Sequence, residues 1–332
     1  MVRVGFIGLG GMGLHQTKAF VQAKGCRIVA GADVESGSRE KFLALYPDAK
    51  AFDSHRELLA DPGVDAVVIA VPTGYHRATA SDALNAGKPV LLEKPMARTV
   101  ADCRRLNELA ARTNTLLMIA QCRRYDAHWG TWGQYVTDGK LGGSVLWRSI
   151  MAGIGPGRWY MDDKMGGGPL LDGAIHNYDF AQLIFGDPES VLSSAIKMDP
   201  SVTAVDTCSA VVRYRSGHQL LMSWSWSASG LSMNDVVGPK GFIQFGTGGL
   251  TPPESDAKGY AYCCFTDMAG KQRLLKAKSE PGMYVRQAEH FLDCVQGKAE
   301  CRTPGTEAIK AVAVAEAILI AGRAGKAMPV KW

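Results

Sequence analysis

No apolar run in this chain is long enough to cross a bilayer; the longest, residues 66–71 and 311–321 with Glu316 interrupting the second, fit a buried strand and a core helix. The start also lacks a charged segment followed by an uninterrupted apolar one, because Gly5 and Gly8 break the first run, so no secretory leader is expected and the cytoplasm is the expected location. Eight cysteines include no C-x-x-C spacing, which argues against a zinc knuckle and a compact disulfide framework. The adjacent Cys263 and Cys264 read as strand residues. Charge of one sign is missing too: the net charge is +5 over 332 residues, with Lys and Arg scattered among acids. Nucleic acid finds no basic stripe here, and the mild basicity suits anionic cofactors instead. Repeats and low-complexity linkers are absent. What is present is ordinary globular material, 46% hydrophobic and 21% charged, and its length favours two domains.

From residue 3 to about 121, short β-branched runs at 3–7, 27–32, 66–71, 90–92 and 116–120 alternate with helical spacing at 12–23, 38–46, 74–85 and 100–113. That alternation predicts βαβ units and an α/β fold with a parallel, helix-covered sheet. Gly25 and Gly87 stand where helix ends favour a left-handed residue. Beyond about residue 140 the runs lengthen. Segments 209–214 and 219–226, joined by the turn Arg215-Ser216-Gly217-His218, predict an antiparallel pair. A helix is predicted from about 171 to 185, stopped by Gly186-Asp187-Pro188, and two more cover 284–296 and 306–324. The predicted division is a first domain over 1–122 and a second over 123–332, whose last residues can pack back on the first.

Gly8-Leu9-Gly10-Gly11-Met12-Gly13 matches G-x-G-x-x-G directly after the first predicted strand and at the opening of a helix. The first glycine makes the tight turn, the second admits a pyrophosphate to the backbone, and the third lets helix and strand pack closely. The helix N-terminus then offers unpaired N–H groups to phosphates. Twenty residues beyond Gly13, Asp33 ends the second strand, where a carboxylate accepts hydrogen bonds from ribose hydroxyls and repels a 2′-phosphate. The first domain is therefore read as a Rossmann domain with a doubly wound parallel sheet that prefers NAD over NADP. Ser36, Ser38 and Arg39 lie close enough in sequence to soften that preference.

Val71-Pro72-Thr73 and His76 follow the run at 66–71 and fall at the carboxyl edge of the sheet; by position alone His76 is either a cofactor contact or a solvated surface residue. Glu93-Lys94-Pro95 ends another buried strand, and the proline favours extended backbone at Lys94. Lys94 is either an amine held at the cofactor edge or an ordinary salt-bridged loop lysine. In Gly166-Gly167-Gly168-Pro169-Leu170-Leu171-Asp172-Gly173-Ala174-Ile175-His176, Asp172 and His176 are four apart and share a helix face. A carboxylate beside an imidazole suits a histidine that takes a proton from an alcohol near neutral pH. Otherwise Asp172 caps the helix and His176 is a core residue. D-x-x-x-H supplies two ligands at most, so no metal is expected.

Taken together, these residues resemble the glucose-fructose oxidoreductase, inositol dehydrogenase and MocA family along nearly the whole chain, with Gln121 to Tyr125 and its paired arginines also matching. The resemblance implies a Rossmann domain followed by an α+β domain with a large, open, mainly antiparallel sheet, which commonly packs on another subunit as a homodimer or homotetramer. It implies Lys94, Asp172 and His176 as the catalytic group. His176 would be the general base, Asp172 its orienting partner, and Lys94 a donor to the reacting oxygen. It places the cofactor on Gly8, Gly10, Gly11, Met12, Gly13, Asp33, Val71, Pro72, Thr73, His76, Glu93 and Lys94. Arg123, Arg124, Arg158, Trp159 and Tyr284 are substrate-side candidates, since carbohydrate-like ligands need donors and an aromatic face; packing or an interface would equally account for them. The implied activity is NAD-dependent oxidation of a secondary hydroxyl of a cyclic polyol or sugar. Alternatives are an NADPH-dependent keto-sugar reductase, a tightly bound cofactor serving an internal redox step, a hydrolase using transient oxidation, and a dinucleotide sensor without turnover.

Overall fold

The apolar runs near the N-terminus become a six-stranded parallel sheet. In a computed structural model describing residues 1–254 and 259–332, β1 (Val2–Ile7), α1 (Gly11–Gln22), β2 (Cys26–Ala32), α2 (Ser36–Leu45), β3 (Lys50–Phe52), α3 (His55–Ala60), β4 (Ala66–Ile69), α4 (Thr73–Asn85), β5 (Val90–Leu92), α5 (Val100–Thr113) and β6 (Leu117–Ile119) follow in turn. The strand order is β3-β2-β1-β4-β5-β6, and every pair is parallel. Every residue of β4 and β5 is buried. Helices on both faces leave no side for water, so these strands are continuously apolar and do not alternate. Between β1 and β4 the order reverses, and beyond the carboxyl ends of strands at such a point lies the usual ligand crevice of this architecture. Strand β3 and helix α3 add to the elements expected from sequence.

Chain compactness divides the molecule into Met1–Gln121 with Tyr284–Ile309, and Cys122–Met283 with Lys310–Trp332. The second unit contains α6 (Ala127–Thr137), β7 (Leu146–Ala152), α7 (Ile175–Phe185), β8 (Pro188–Ile196), β9 (Thr207–Tyr214), β10 (Gln219–Ser225), β11 (Met233–Gly238), β12 (Gly241–Phe245), β13 (Tyr260–Asp267) and β14 (Gln272–Lys278). Helices α8 (Met283–Val295) and α9 (Gly305–Ala324) and the short β15 (Met328–Pro329) complete the chain. The second sheet has nine strands in the order β14-β13-β12-β11-β7-β10-β9-β8-β15. It is antiparallel except where β10 pairs with β7 in parallel, Gln219 opposite Leu146. The hairpin β9–β10 is as expected, Gln219 opposite Arg213, and Cys263 and Cys264 are buried strand residues of β13.

One face of this sheet is closed by an aromatic cluster: Trp132 lies 4.8 Å from Trp147 and 5.0 Å from Phe180, and Trp129 stands edge-on to Phe180 at 5.0 Å. Such pairs add about 0.5–1.5 kcal/mol each beyond area burial. On the edge strand β8, Leu192 and Ile196 stay 55% and 52% exposed. In the first unit, the segment from Tyr284 is held by the Phe20–Phe291 pair at 6.2 Å and by Ile119 N–H donating to Thr303 O at 2.9 Å. Among the described residues no helix is long and apolar enough to cross a membrane.

Candidate active site

In the first unit, three neighbouring strands, β1, β4 and β5, deliver the glycine turn, Val71 to Thr73, and Glu93 with Lys94 to one edge of the sheet. The turn needs glycine at two of its positions. Gly8 has φ +87°, and a Cβ on it would stand 2.6 Å from Ala70 O; a Cβ on Gly13 would run into Gly8 O. Gly10 and Gly11 differ, because nothing lies within 4 Å of a Cβ built on either. Open space at the start of α1, beside Met12, is what a phosphate group requires.

Asp33 ties this turn to the end of β2. Its Oδ2 accepts from Leu9 N–H at 2.7 Å and its Oδ1 from Glu35 N–H at 2.9 Å. Arg39 lies alongside, donating from Nη1 to Asp33 O at 2.7 Å and Val34 O at 3.0 Å. Thr73 begins α4 and is 2% exposed, yet its hydroxyl has no hydrogen-bond partner among the described residues. An orphaned buried hydroxyl and an open phosphate cradle on one sheet edge fit a dinucleotide.

His76 is not a solvated surface residue. It is 1% exposed, with Nδ1 2.7 Å from Pro95 O and Nε2 2.9 Å from Val71 O. The ring therefore staples the β4–α4 turn to the turn after β5. Glu93, equally buried, accepts from Gln16 Nε2 at 2.6 Å and from the N–H of Lys94 at 3.1 Å. Lys94 itself is half-buried, and its peptide bond to Pro95 is cis. Tyr284 belongs to this unit, standing edge-on to His15 at 4.5 Å.

In the second unit the predicted helix starts differently. Pro169–Gly173 forms a π-turn, closed by Ala174 N–H on Pro169 O at 2.8 Å, and α7 begins only at Ile175. Single π-turns inside helices are rare and concentrate at functional sites. Asp172 lies in this turn, 5% exposed, and His176 follows in the first turn of α7, half-buried. Two aromatics fix the turn: a Cβ on Gly173 would meet Trp226 at 2.7 Å and Trp224 at 2.8 Å. Helix α7 is also tied to β7, since Asn177 Nδ2 donates to Ser149 Oγ at 2.9 Å.

Arg124 pairs with Asp179 through two hydrogen bonds of 2.8 Å, with side chains 7% and 1% exposed. Arg123 donates to Asp126 at 2.7 Å and lies 5.0 Å over Trp129. Trp159 stacks on Tyr160 at 3.8 Å. Arg158 opens the same short turn, Arg158–Met161, and its side chain lies outside the described ones. Sequence reasoning missed Gln16, Asn177 and Ser149. Gln16 left one trace, a polar side chain three and four positions before the buried Ala19 and Phe20 on the inward face of α1. Among the described residues no group of three or more His, Cys, Asp or Glu could hold a metal.

Known proteins resemble this chain in sequence and fold. Residues 2–121 match a family profile described as an oxidoreductase family with an NAD-binding Rossmann fold, and residues 131–244 match the GFO/IDH/MocA C-terminal domain. An uncharacterised oxidoreductase of Schizosaccharomyces pombe is 31% identical over 66% of this chain, and the match spans 62% of that protein. Inositol 2-dehydrogenase of Rhizobium meliloti is 27% identical over 95% of both chains. The crystal structure of aldose-aldose oxidoreductase from Caulobacter crescentus superposes with a TM-score of 0.86 over 99% of both chains at 23% identity, a likeness of fold.

Proposed function

Because this chain belongs to the Gfo/Idh/MocA family of oxidoreductases, we propose that it is an NAD-dependent dehydrogenase oxidising a secondary hydroxyl of a cyclic polyol or sugar. The observation that carries this reading is that adjacent strands bring an open phosphate cradle, the orphaned Thr73 hydroxyl and the Glu93-Lys94 step to one sheet edge. The full-length likeness to an inositol 2-dehydrogenase supports the substrate class.

When bound, NAD supplies the hydride acceptor. The turn from Gly8 to Gly13 would hold the pyrophosphate and Asp33 the ribose hydroxyls, with Val71, Pro72 and Thr73 toward the nicotinamide. His76 and Glu93 act on this site through the loops they pin. His176 takes the proton of the reacting hydroxyl, and Asp172 orients His176 while holding a neighbouring hydroxyl. Lys94 is assigned as a hydrogen-bond donor that stabilises alkoxide character, a role worth about 10²-fold or more. Trp159 and Tyr284 offer aromatic faces, Arg158 and Arg123 offer donors, and Arg124, committed to Asp179, acts as a support. The half-exposed face of β8, with Leu192 and Ile196, is assigned to a second copy of the chain.

The position of Arg39 favours a second reading, an NADPH-dependent keto-sugar reductase, because its guanidinium lies beside the Asp33 carbonyl. A screen of inositols, hexoses and amino sugars with NAD and NADP, followed by nicotinamide absorbance, tests both. The expected outcome is reduction of NAD by an inositol or aldose with a higher kcat/KM than for NADP. Preference for NADPH supports the second reading, and silence across the panel contradicts both.

A further inference from the structure

We propose that Gln16 is a positioning residue for Lys94: acting through Glu93, it anchors the peptide of the lysine to the helix that follows the glycine turn. The inference rests on the catalytic reading of Lys94 given above. Gln16 is wholly buried on α1, three residues beyond Gly13. Its Nε2 donates to Glu93 Oε1 at 2.6 Å, and Glu93 Oε2 accepts the N–H of Lys94 at 3.1 Å. One carboxylate therefore spans α1 and the end of β5, gripping the phosphate helix with one oxygen and the lysine backbone with the other.

Chemistry makes this bridge directional. Burying a carboxylate is costly unless donors surround it, and the short contact from an amide is a strong, charge-assisted hydrogen bond. Gln16 Oε1 has no hydrogen-bond partner among the described residues, so the polar investment of this side chain goes to Glu93. An apolar residue of the same size would fill the space without holding the carboxylate. On the far side of Lys94, Pro95 O meets Nδ1 of His76 at 2.7 Å, while Nε2 of the same ring meets Val71 O at 2.9 Å. The Lys94–Pro95 step is thus pinned from α1 on one side and α4 on the other. The lysine side chain leaves a backbone whose direction is set by the helix that receives the pyrophosphate. Misplacing a reacting group by about 1 Å can cost about 10²-fold in rate, and this bridge is what prevents it.

Two readouts test the assignment. The first needs neither cofactor nor substrate: hydrogen exchange at the Lys94 amide, compared in the parent, Gln16→Met, Glu93→Gln and the double variant. The second is kcat with the best polyol, alongside the dissociation constant for NADH. Gln16→Met is expected to speed Lys94 amide exchange about tenfold, leave β1 amides unchanged, and lower kcat about tenfold with NADH affinity within about twofold. In the Glu93→Gln background the same substitution should add nothing to either quantity, because its effect passes through the carboxylate. Unchanged Lys94 exchange, faster exchange with unchanged kcat, or additive losses would each overturn the proposal. Gln16→Glu, which opposes two carboxylates at unchanged size, replaces Gln16→Met should the latter not fold. If the parent oxidises no member of the panel, the proposed function fails, while amide exchange still decides whether Gln16 holds Lys94.

Discussion

The first unit fixes its candidate chemistry chiefly with hydrogen bonds between a few buried polar groups, whereas among the described residues of the second, close-packed rings and the buried Arg124–Asp179 pair stand out beside the Asn177–Ser149 hydrogen bond. Gln16, Glu93 and His76 set the direction of Lys94 by donor and acceptor geometry. The segment that carries Asp172 and His176 is packed by volume, with Gly173 against Trp224 and Trp226, and α7 is tied to Arg124 through Asp179. A polar bridge fails when one donor is lost and the packing survives. A packed turn fails when a methyl group is added and every hydrogen bond survives. The two halves should therefore break in different ways.

The largest effect falls on the ion pair of the second unit. Asp179→Ala removes the carboxylate that pairs in two hydrogen bonds with the buried Arg124 guanidinium, and should lower unfolding free energy by about 3–5 kcal/mol in denaturant titration. Gly173→Val should follow at about 1–3 kcal/mol, because the added side chain must displace two indoles, with loss of His176 function beyond the stability change.

Acid separates the halves through two histidines. His290 in the first unit is pushed below its ordinary 6.5 by burial and by the charge of Arg302, and its Nε2 accepts Arg302 N–H at 3.1 Å. His218 in the second unit is lowered by burial, and its Nδ1 accepts Val145 N–H at 3.1 Å. Both folds use the neutral ring, so their contribution is fully present above pH 6.5 and is lost as pH falls through the depressed folded values. Denaturation midpoints should fall between pH 7 and pH 5, and His290→Gln or His218→Gln should each flatten part of that slope. The smallest effect belongs to Arg148→Gln: its pair with Asp235 is 36% exposed on the arginine side, and its loss should cost less than about 1 kcal/mol.

The same contrast governs how much was legible beforehand. Strands β4, β5 and β6 are buried on both faces and read as continuous apolar runs, and β1 and β2 stood out as apolar runs broken only by Arg3 and Arg27 near their starts, as did the glycine turn between β1 and α1. Strand β3 escaped, being three residues long with Lys50 exposed. In the second unit β9 and β10 were visible through alternation and a glycine turn, the Cys263-Cys264 step of β13 read as strand, and α7 and α9 showed as helical runs. β12 is a short run between Gly238 and Gly246, and the parallel pairing of β7 with β10 depends on residues some seventy positions apart. The D-x-x-x-H spacing located Asp172 and His176, but nothing local announced the π-turn that carries Asp172. Asp179 as the partner of Arg124 was equally hidden, 55 residues away.

The most direct test of the central claim is turnover of NAD with the best inositol or aldose by the parent, Lys94→Ala and His176→Ala, with NADH binding measured in parallel. The account predicts that each variant loses about 10² to 10⁴ of kcat while NADH binding persists. Wild-type turnover in both variants with unchanged cofactor affinity would contradict it.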